Sequence, residues 1–226
     1  MSWNHPSPAA DETAWIARAR PLGTILCEAA FRIVEDVYIG PADGFTPREW
    51  AEARVPLPPP ALPCRLPGRV ITADLLDHED ALIAHYRRIV AIATRHGKHA
   101  ALRQPFPWFA VTPVIIGHGE VRAGFPWNDD LDSATAILRA LASAGQAPDG
   151  TVWDDEDQGW AIRITAMAGT IRGVEWDAEG PPPADAGWAV EAGLLARQAA
   201  AALARLDVIQ GRLAHALGRD CWTRRP

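Results

Sequence analysis

Trp160-Ala161-Ile162-Arg163-Ile164-Thr165-Ala166-Met167-Ala168-Gly169-Thr170-Ile171-Arg172-Gly173-Val174-Glu175-Trp176 carries the clearest strand signal in the chain. Trp160, Ile162 and Ile164 alternate with Ala161, Arg163 and Thr165, a period of two that places one set on a buried strand face. The return strand changes its apolar phase at Gly173, where a bulge is expected because glycine tolerates the irregular backbone. The segment therefore reads as a β-hairpin.

Further strands follow from the same patterning. Residues 108–125 read as β: Phe109-Ala110-Val111, then Val114-Ile115-Ile116, a Gly117-His118-Gly119 turn, and Glu120-Val121-Arg122. Residues 69–72 make a short strand.

Helical spacing governs the rest. Residues 185–217 carry Trp188, Ala192, Leu195, Ala199, Ala202, Leu206, Ile209, Leu213 and Ala216 at alternating four–three intervals. That predicts a helix roughly 48 Å long at about 1.5 Å per residue. Leu194, Leu203 and Val208 widen the stripe beyond a coiled-coil seam, which favours burial within the chain over a dimer seam. Residues 24–38 repeat Leu26, Ala29, Ile33 and Val37 at helical spacing, with Glu28, Arg32, Glu35 and Asp36 opposite, and are expected to be helical. Asp77 is expected to cap a helix that turns Leu82, Tyr86, Ile89 and Ala93 inward and stops at Gly97. Another helix should begin at Asp129 or Asp130, bury Leu131, Leu138 and Leu141, and end at Gly145. Phe45-Thr46-Pro47-Arg48-Glu49-Trp50 combines a capping box with the spacing of a hydrophobic staple, so a short helix starts there.

Together these elements predict an α+β fold: a mostly antiparallel sheet of four or five strands, from residues 69–72, 108–123 and 160–176, covered by helices, with a long C-terminal helix. A chain of 226 residues is expected to form a single domain, 1–226. Residues 1–10 would be a flexible N-terminus, 55–68 a proline-rich connector, and 219–226 a C-terminal tail. Pro60, Pro63 and Arg65 match the short PxxPxR pattern of SH3 ligands, but a rigid polyproline-like connector explains the prolines as well.

Composition bounds the chemistry. The net charge of −6 and a pI near 5.6 argue against a nucleic-acid partner. The longest uncharged run, about residues 104–119, is shorter than the about 20 apolar residues of a membrane span. Lys98 is the one lysine, and Ala, Gly and Pro abound, the mark of GC-rich codons expected of a bacterial genome. Cys27, Cys64 and Cys221 are odd in number and far apart, which suits reduced thiols in a cytoplasm rather than a disulfide framework.

Catalytic signatures fail one by one. None of Ser2, Ser7, Ser133 and Ser143 sits in a Gly-x-Ser-x-Gly elbow. Gly97-Lys98 lacks the rest of a phosphate loop, and no Gly-x-Gly-x-x-Gly occurs. His78-Glu79 would need a histidine at 82, which is Leu82; His78 and His85 could share a helix face but lack a third ligand. The run from Asp154 to Gly159 would need a carboxylate at 165, which is Thr165, to be a calcium loop. No cofactor and no metal site is expected.

Tryptophan is the compositional oddity: ten occur, and three precede acids, in Trp127-Asn128-Asp129-Asp130, Trp153-Asp154-Asp155-Glu156-Asp157 and Trp176-Asp177. Trp160 follows the acidic run. Aromatic rings bordered by carboxylates suit a cation or a basic protein surface. Trp127, Asp129, Asp130, Trp153, Asp154, Asp155, Glu156, Asp157, Trp176 and Asp177 are accordingly the candidate binding residues of a non-catalytic protein with a basic protein partner, immunity- or antitoxin-like in character. The competing structural account makes Trp160 and Trp176 core residues, Asp129 and Asp130 a helix cap, and Asp154 to Asp157 a solvated turn. Two further readings stay open: a metal-assisted hydrolase using the clustered Asp residues, and an assembly protein that forms a homodimer through the C-terminal helix.

Overall fold

The computed structural model describes residues 13–41, 43 and 46–223. Along the chain run α1 (Ala14–Arg18), β1 (Arg20–Pro21), β2 (Ile25–Arg32), β3 (Asp36–Tyr38), α2 (Pro47–Glu52), β4 (Arg54–Pro56), β5 (Arg69–Ile71), α3 (Thr72–Leu75) and α4 (Glu79–Arg95). They are followed by β6 (Val111–Gly117), β7 (Glu120–Ala123), α5 (Leu131–Ser143), β8 (Gly150–Asp157), β9 (Trp160–Met167), β10 (Thr170–Asp177), β11 (Trp188–Glu191) and α6 (Ala192–Leu217). The fold is α+β, with a five-stranded sheet in the order β1-β11-β10-β9-β8, a four-stranded sheet in the order β5-β2-β6-β7, and the two-stranded pair β3-β4. No described helix is long and apolar enough to cross a membrane.

The chain forms two compact units. One comprises Met1–Cys27, Val114–Trp127 and Ile137–Ala201, and the other Glu28–Pro113, Asn128–Ala136 and Ala202–Pro226.

In the first unit the hairpin of residues 160–177 forms, although Trp160, expected on its buried face, is exposed and Ala161, expected on the other, is buried. Ile162, Ile164 and Ala166 are buried, and β9 pairs β10 without interruption from Thr170↔Met167 to Asp177↔Trp160. Both loops of the β8-β9-β10 meander are two residues long, Gln158-Gly159 and Ala168-Gly169, and all four residues have positive φ. That backbone matches the twist of the flanking strands. Ala161, on the other face, is buried with Val174 and Trp176 under Trp15 of α1.

The bulge expected at Gly173 is absent. Glycine is required there for a different reason: a Cβ would lie 2.2 Å from Cζ2 of Trp188, so the missing side chain makes room for that indole. The irregularity falls instead in β8, between Thr151 and Trp153. The acidic run also differs from expectation. Asp154 to Asp157 form the end of strand β8, and the turn is Gln158-Gly159.

Trp188 belongs to β11, so the C-terminal helix begins at Ala192 rather than 185 and is about 39 Å long. The centre of its predicted stripe is buried: Leu195, Ala199, Ala202, Leu206, Ile209 and Leu213 are all at most 1% exposed, whereas Leu194, Leu203 and Ala216 are only partly buried and Val208, expected to widen the stripe, is 50% exposed.

The largest departure is at residues 24–38, which form β2 and β3 instead of a helix. Ile25, Cys27 and Glu28 to Phe31 are buried on both faces of the strand. A strand covered on both faces loses its alternation, and a run of apolar residues then satisfies helical spacing by chance. Glu28, expected on a solvent face, is buried.

Tyr86, Phe31, Phe109 and Trp222 form an aromatic core with ring centroids 5.3–6.0 Å apart. Tyr86 reaches it from α4, whose Leu82, Ile89 and Ala93 are buried as predicted and which stops before Gly97 at φ 69. Asp77 is not the cap of α4. Its φ is 66, the helix starts at Glu79, and His78 holds the cap position without a side-chain bond. The capping box is present: Thr46 Oγ1 accepts from Glu49 N, and Glu49 Oε2 accepts from Thr46 N. The predicted staple involves Phe45, which lies outside the described residues.

Candidate functional site

Strand register in the first unit assembles an acidic and aromatic surface at the Gln158-Gly159 end of the sheet. Across β8, β9 and β10, Asp157 stands opposite Trp160, which stands opposite Asp177. Two residues further in, Asp155 stands opposite Ile162 and Ile162 opposite Glu175. Residues opposite one another or two apart along a strand share a face. Asp155, Asp157, Trp160, Glu175 and Asp177 therefore lie on one face, with no cationic residue in their two rows.

Two rings on this face, Trp160 and Trp127, are held by carboxylates. Trp160 Nε1 donates to Glu175 Oε1 at 2.6 Å, and the other oxygen of Glu175 accepts from Gly124 N at 2.6 Å. Trp127 Nε1 donates to Asp155 Oδ2 at 2.7 Å. Bonds to an ionised acceptor contribute about 1.5–3 kcal/mol each, more than neutral ones. Asp155 and Glu175 are thus used to orient indoles, whereas Asp157 and Asp177 are exposed on either side of Trp160, itself 38% exposed, with Asp177 Oδ1 also accepting from Glu179 N at 3.1 Å.

The intervening rows point to the opposite face. Glu156, Ala161 and Trp176 form one, and Asp154, Arg163 and Val174 the other. There Arg163 pairs with Asp154 at 3.2 Å and lies 5.7 Å from the Trp176 ring, whose Nε1 donates to the carbonyl of Gly180. Trp176 is 8% exposed and belongs to the core.

No protein family model, no curated protein and no solved structure matches this chain. The site must be judged on its own chemistry.

Of the ten candidate residues, Trp127, Trp153, Asp155, Asp157 and Asp177 fall on one face, and Asp154, Glu156 and Trp176 on the other. The two sets meet along β8, the edge of the sheet. Asp130 is buried in the second unit, where Oδ1 accepts from Ser133 N and Oδ2 from Ser133 Oγ, the geometry of a helix cap. The neighbouring Asp129 accepts through its carbonyl from Val111 N.

Trp160 and Glu175 are the functional candidates the patterning missed. Alternation assigns Trp160 to the buried face, but it is the first residue after a two-residue turn, where the sheet ends and cover is thin. Among the described residues, no group of three His, Cys, Asp or Glu side chains is placed to hold a metal ion.

Proposed function

We propose that this is a non-catalytic binding protein that engages a basic protein segment at the acidic end of the five-stranded sheet. The observation that carries this reading is the row Asp157–Trp160–Asp177. A lysine or arginine laid on the exposed indole meets the negative ring face and a carboxylate on either side, and all three contacts attract it. Because Glu175 already fixes the ring, little freedom is lost when the cation arrives.

The edge strand adds a second means of attachment. The two-residue turn makes Asp157 and Trp160 a mutually hydrogen-bonded pair, so the main-chain groups of Glu156 and Asp154 face away from β9. No described strand pairs with β8 on that side. Its side chains are acidic on both faces, which repels a second copy of the same edge and attracts a basic segment. An immunity- or antitoxin-like inhibitor has this character.

No disulfide joins Cys27, Cys64 and Cys221. Widely spaced thiols, odd in number, suit a cytoplasm, and the abundance of Ala, Gly and Pro suits a bacterial one. The reading is tested by the affinity and salt dependence of a lysine-rich peptide for the wild type and for Asp157→Asn/Asp177→Asn.

A further inference from the structure

The second unit contains a separate cleft of about 330 Å³, in the lower range of small-molecule sites. Arg32 at the end of β2, Glu35, Asp36 and Tyr38 around β3, Arg54 of β4 and Trp108 are among the residues that line it. Its charges are not equivalent. Arg54 Nη1 donates to both oxygens of Asp36, at 2.9 and 2.7 Å, and its guanidinium lies 3.5 Å from the Trp50 ring centroid. That pair is closed on itself.

Arg32 and Glu35 are not. The Arg32 guanidinium lies 5.4 Å from the Phe106 ring and has no ion pair or side-chain hydrogen bond among the described residues. Glu35 accepts from Leu57 N through its carbonyl, and its carboxylate likewise has no described partner. Two opposite charges thus line one cleft, three residues apart, without pairing to each other. A lone anion would satisfy Arg32 but face the carboxylates of Glu35 and Asp36, and a lone cation would meet the converse difficulty. A ligand bearing both charges satisfies each, and the half-buried Tyr38, which also lines the cleft, offers ring surface to an apolar or planar body.

We infer that this cleft binds a small zwitterion with an apolar side group, of the class of an aromatic α-amino acid, with its carboxylate on Arg32 and its ammonium on Glu35. This site is independent of the acidic surface of the other unit.

Calorimetric titration of the full chain tests it with L-phenylalanine, with 3-phenylpropanoate, which lacks the ammonium, and with phenethylamine, which lacks the carboxylate. Saturable binding of L-phenylalanine is expected, with each analogue weaker by about tenfold or more. Arg32→Gln should bring L-phenylalanine down to the level of phenethylamine, and Glu35→Gln down to that of 3-phenylpropanoate. Neither side chain is buried, so both variants should keep the wild-type melting temperature. Absence of saturable L-phenylalanine binding, an analogue that binds as tightly, or binding that survives both substitutions would overturn the assignment.

Discussion

Trp160 and Glu175 stand on neighbouring strands one diagonal step apart, and the indole N–H of the first donates to Oε1 of the second at 2.6 Å. The other carboxylate oxygen takes the amide of Gly124. One side chain therefore fixes both an exposed ring and the segment beside it. Glu175→Ala should cost about 1–3 kcal/mol and sharply increase the solvent exchange of the Trp160 indole proton. Glu175→Gln, which keeps one acceptor oxygen, should lose less. Urea denaturation and indole hydrogen exchange measure the two effects. An unchanged exchange rate in Glu175→Ala would show that the ring is held by something else.

Gly173 faces Trp188 so closely that any side chain must displace the indole. Gly173→Ala should therefore destabilise by about 1–3 kcal/mol, as overpacking does. Were Gly173 merely a flexible strand position, the same change would be neutral or stabilising, because alanine restricts the unfolded chain. Equilibrium unfolding separates the two by sign.

Glu28 carries a buried carboxyl that accepts from Thr72 Oγ1 and from Arg205 Nη2. Burial raises its pKa above the ordinary 4.5, against the lowering effect of Thr72 and Arg205. The folded chain therefore keeps this proton to higher pH than the unfolded chain. Its contribution to stability is most favourable at and below pH 4.5 and declines as pH rises through the folded-state value. Glu28→Gln cannot ionise, so the stability difference between variant and wild type should shift in the variant's favour from pH 4.5 to about pH 7. Urea midpoints at the two pH values read this directly. A difference that is constant or moves the other way would contradict the account.

Leu206 lies in the buried stripe of α6 at 1% exposure. Leu206→Asp should unfold the protein or cost several kcal/mol, because an unpaired carboxylate enters packed apolar surroundings. A soluble variant with an unchanged melting temperature would place that face in solvent.

The sequence was most legible where one face of an element is buried and punctuation is explicit. The inward face of α4 read correctly from its one-sided burial and the Thr46–Glu49 box of α2 from its punctuation; the hairpin of residues 160–177 was placed correctly, but its expected bulge at Gly173 is absent and Trp160 is exposed where Ala161 is buried. Strand β2 was not legible, because burial on both faces erased its period and left Glu28 looking like a solvent residue. Trp188 kept step with the helical stripe that follows it and so concealed β11. At the site, Asp155, Asp157 and Asp177 come together because β8, β9 and β10 follow one another through two-residue turns. The division between two faces depends on register, which is fixed by the Gln158-Gly159 turn. Glu175 carried no signal at all, since a lone acid in a strand looks like any solvated position.

The most direct test of the proposed function follows the Trp160 indole resonance of the isotopically labelled protein as a ten-residue lysine peptide is added. The account predicts saturable movement of that resonance, weakened by salt, and a large loss of affinity in Asp157→Asn/Asp177→Asn at unchanged stability. A Trp160 resonance that stays still at saturation, or a double variant that binds the peptide as tightly as the wild type, would contradict it.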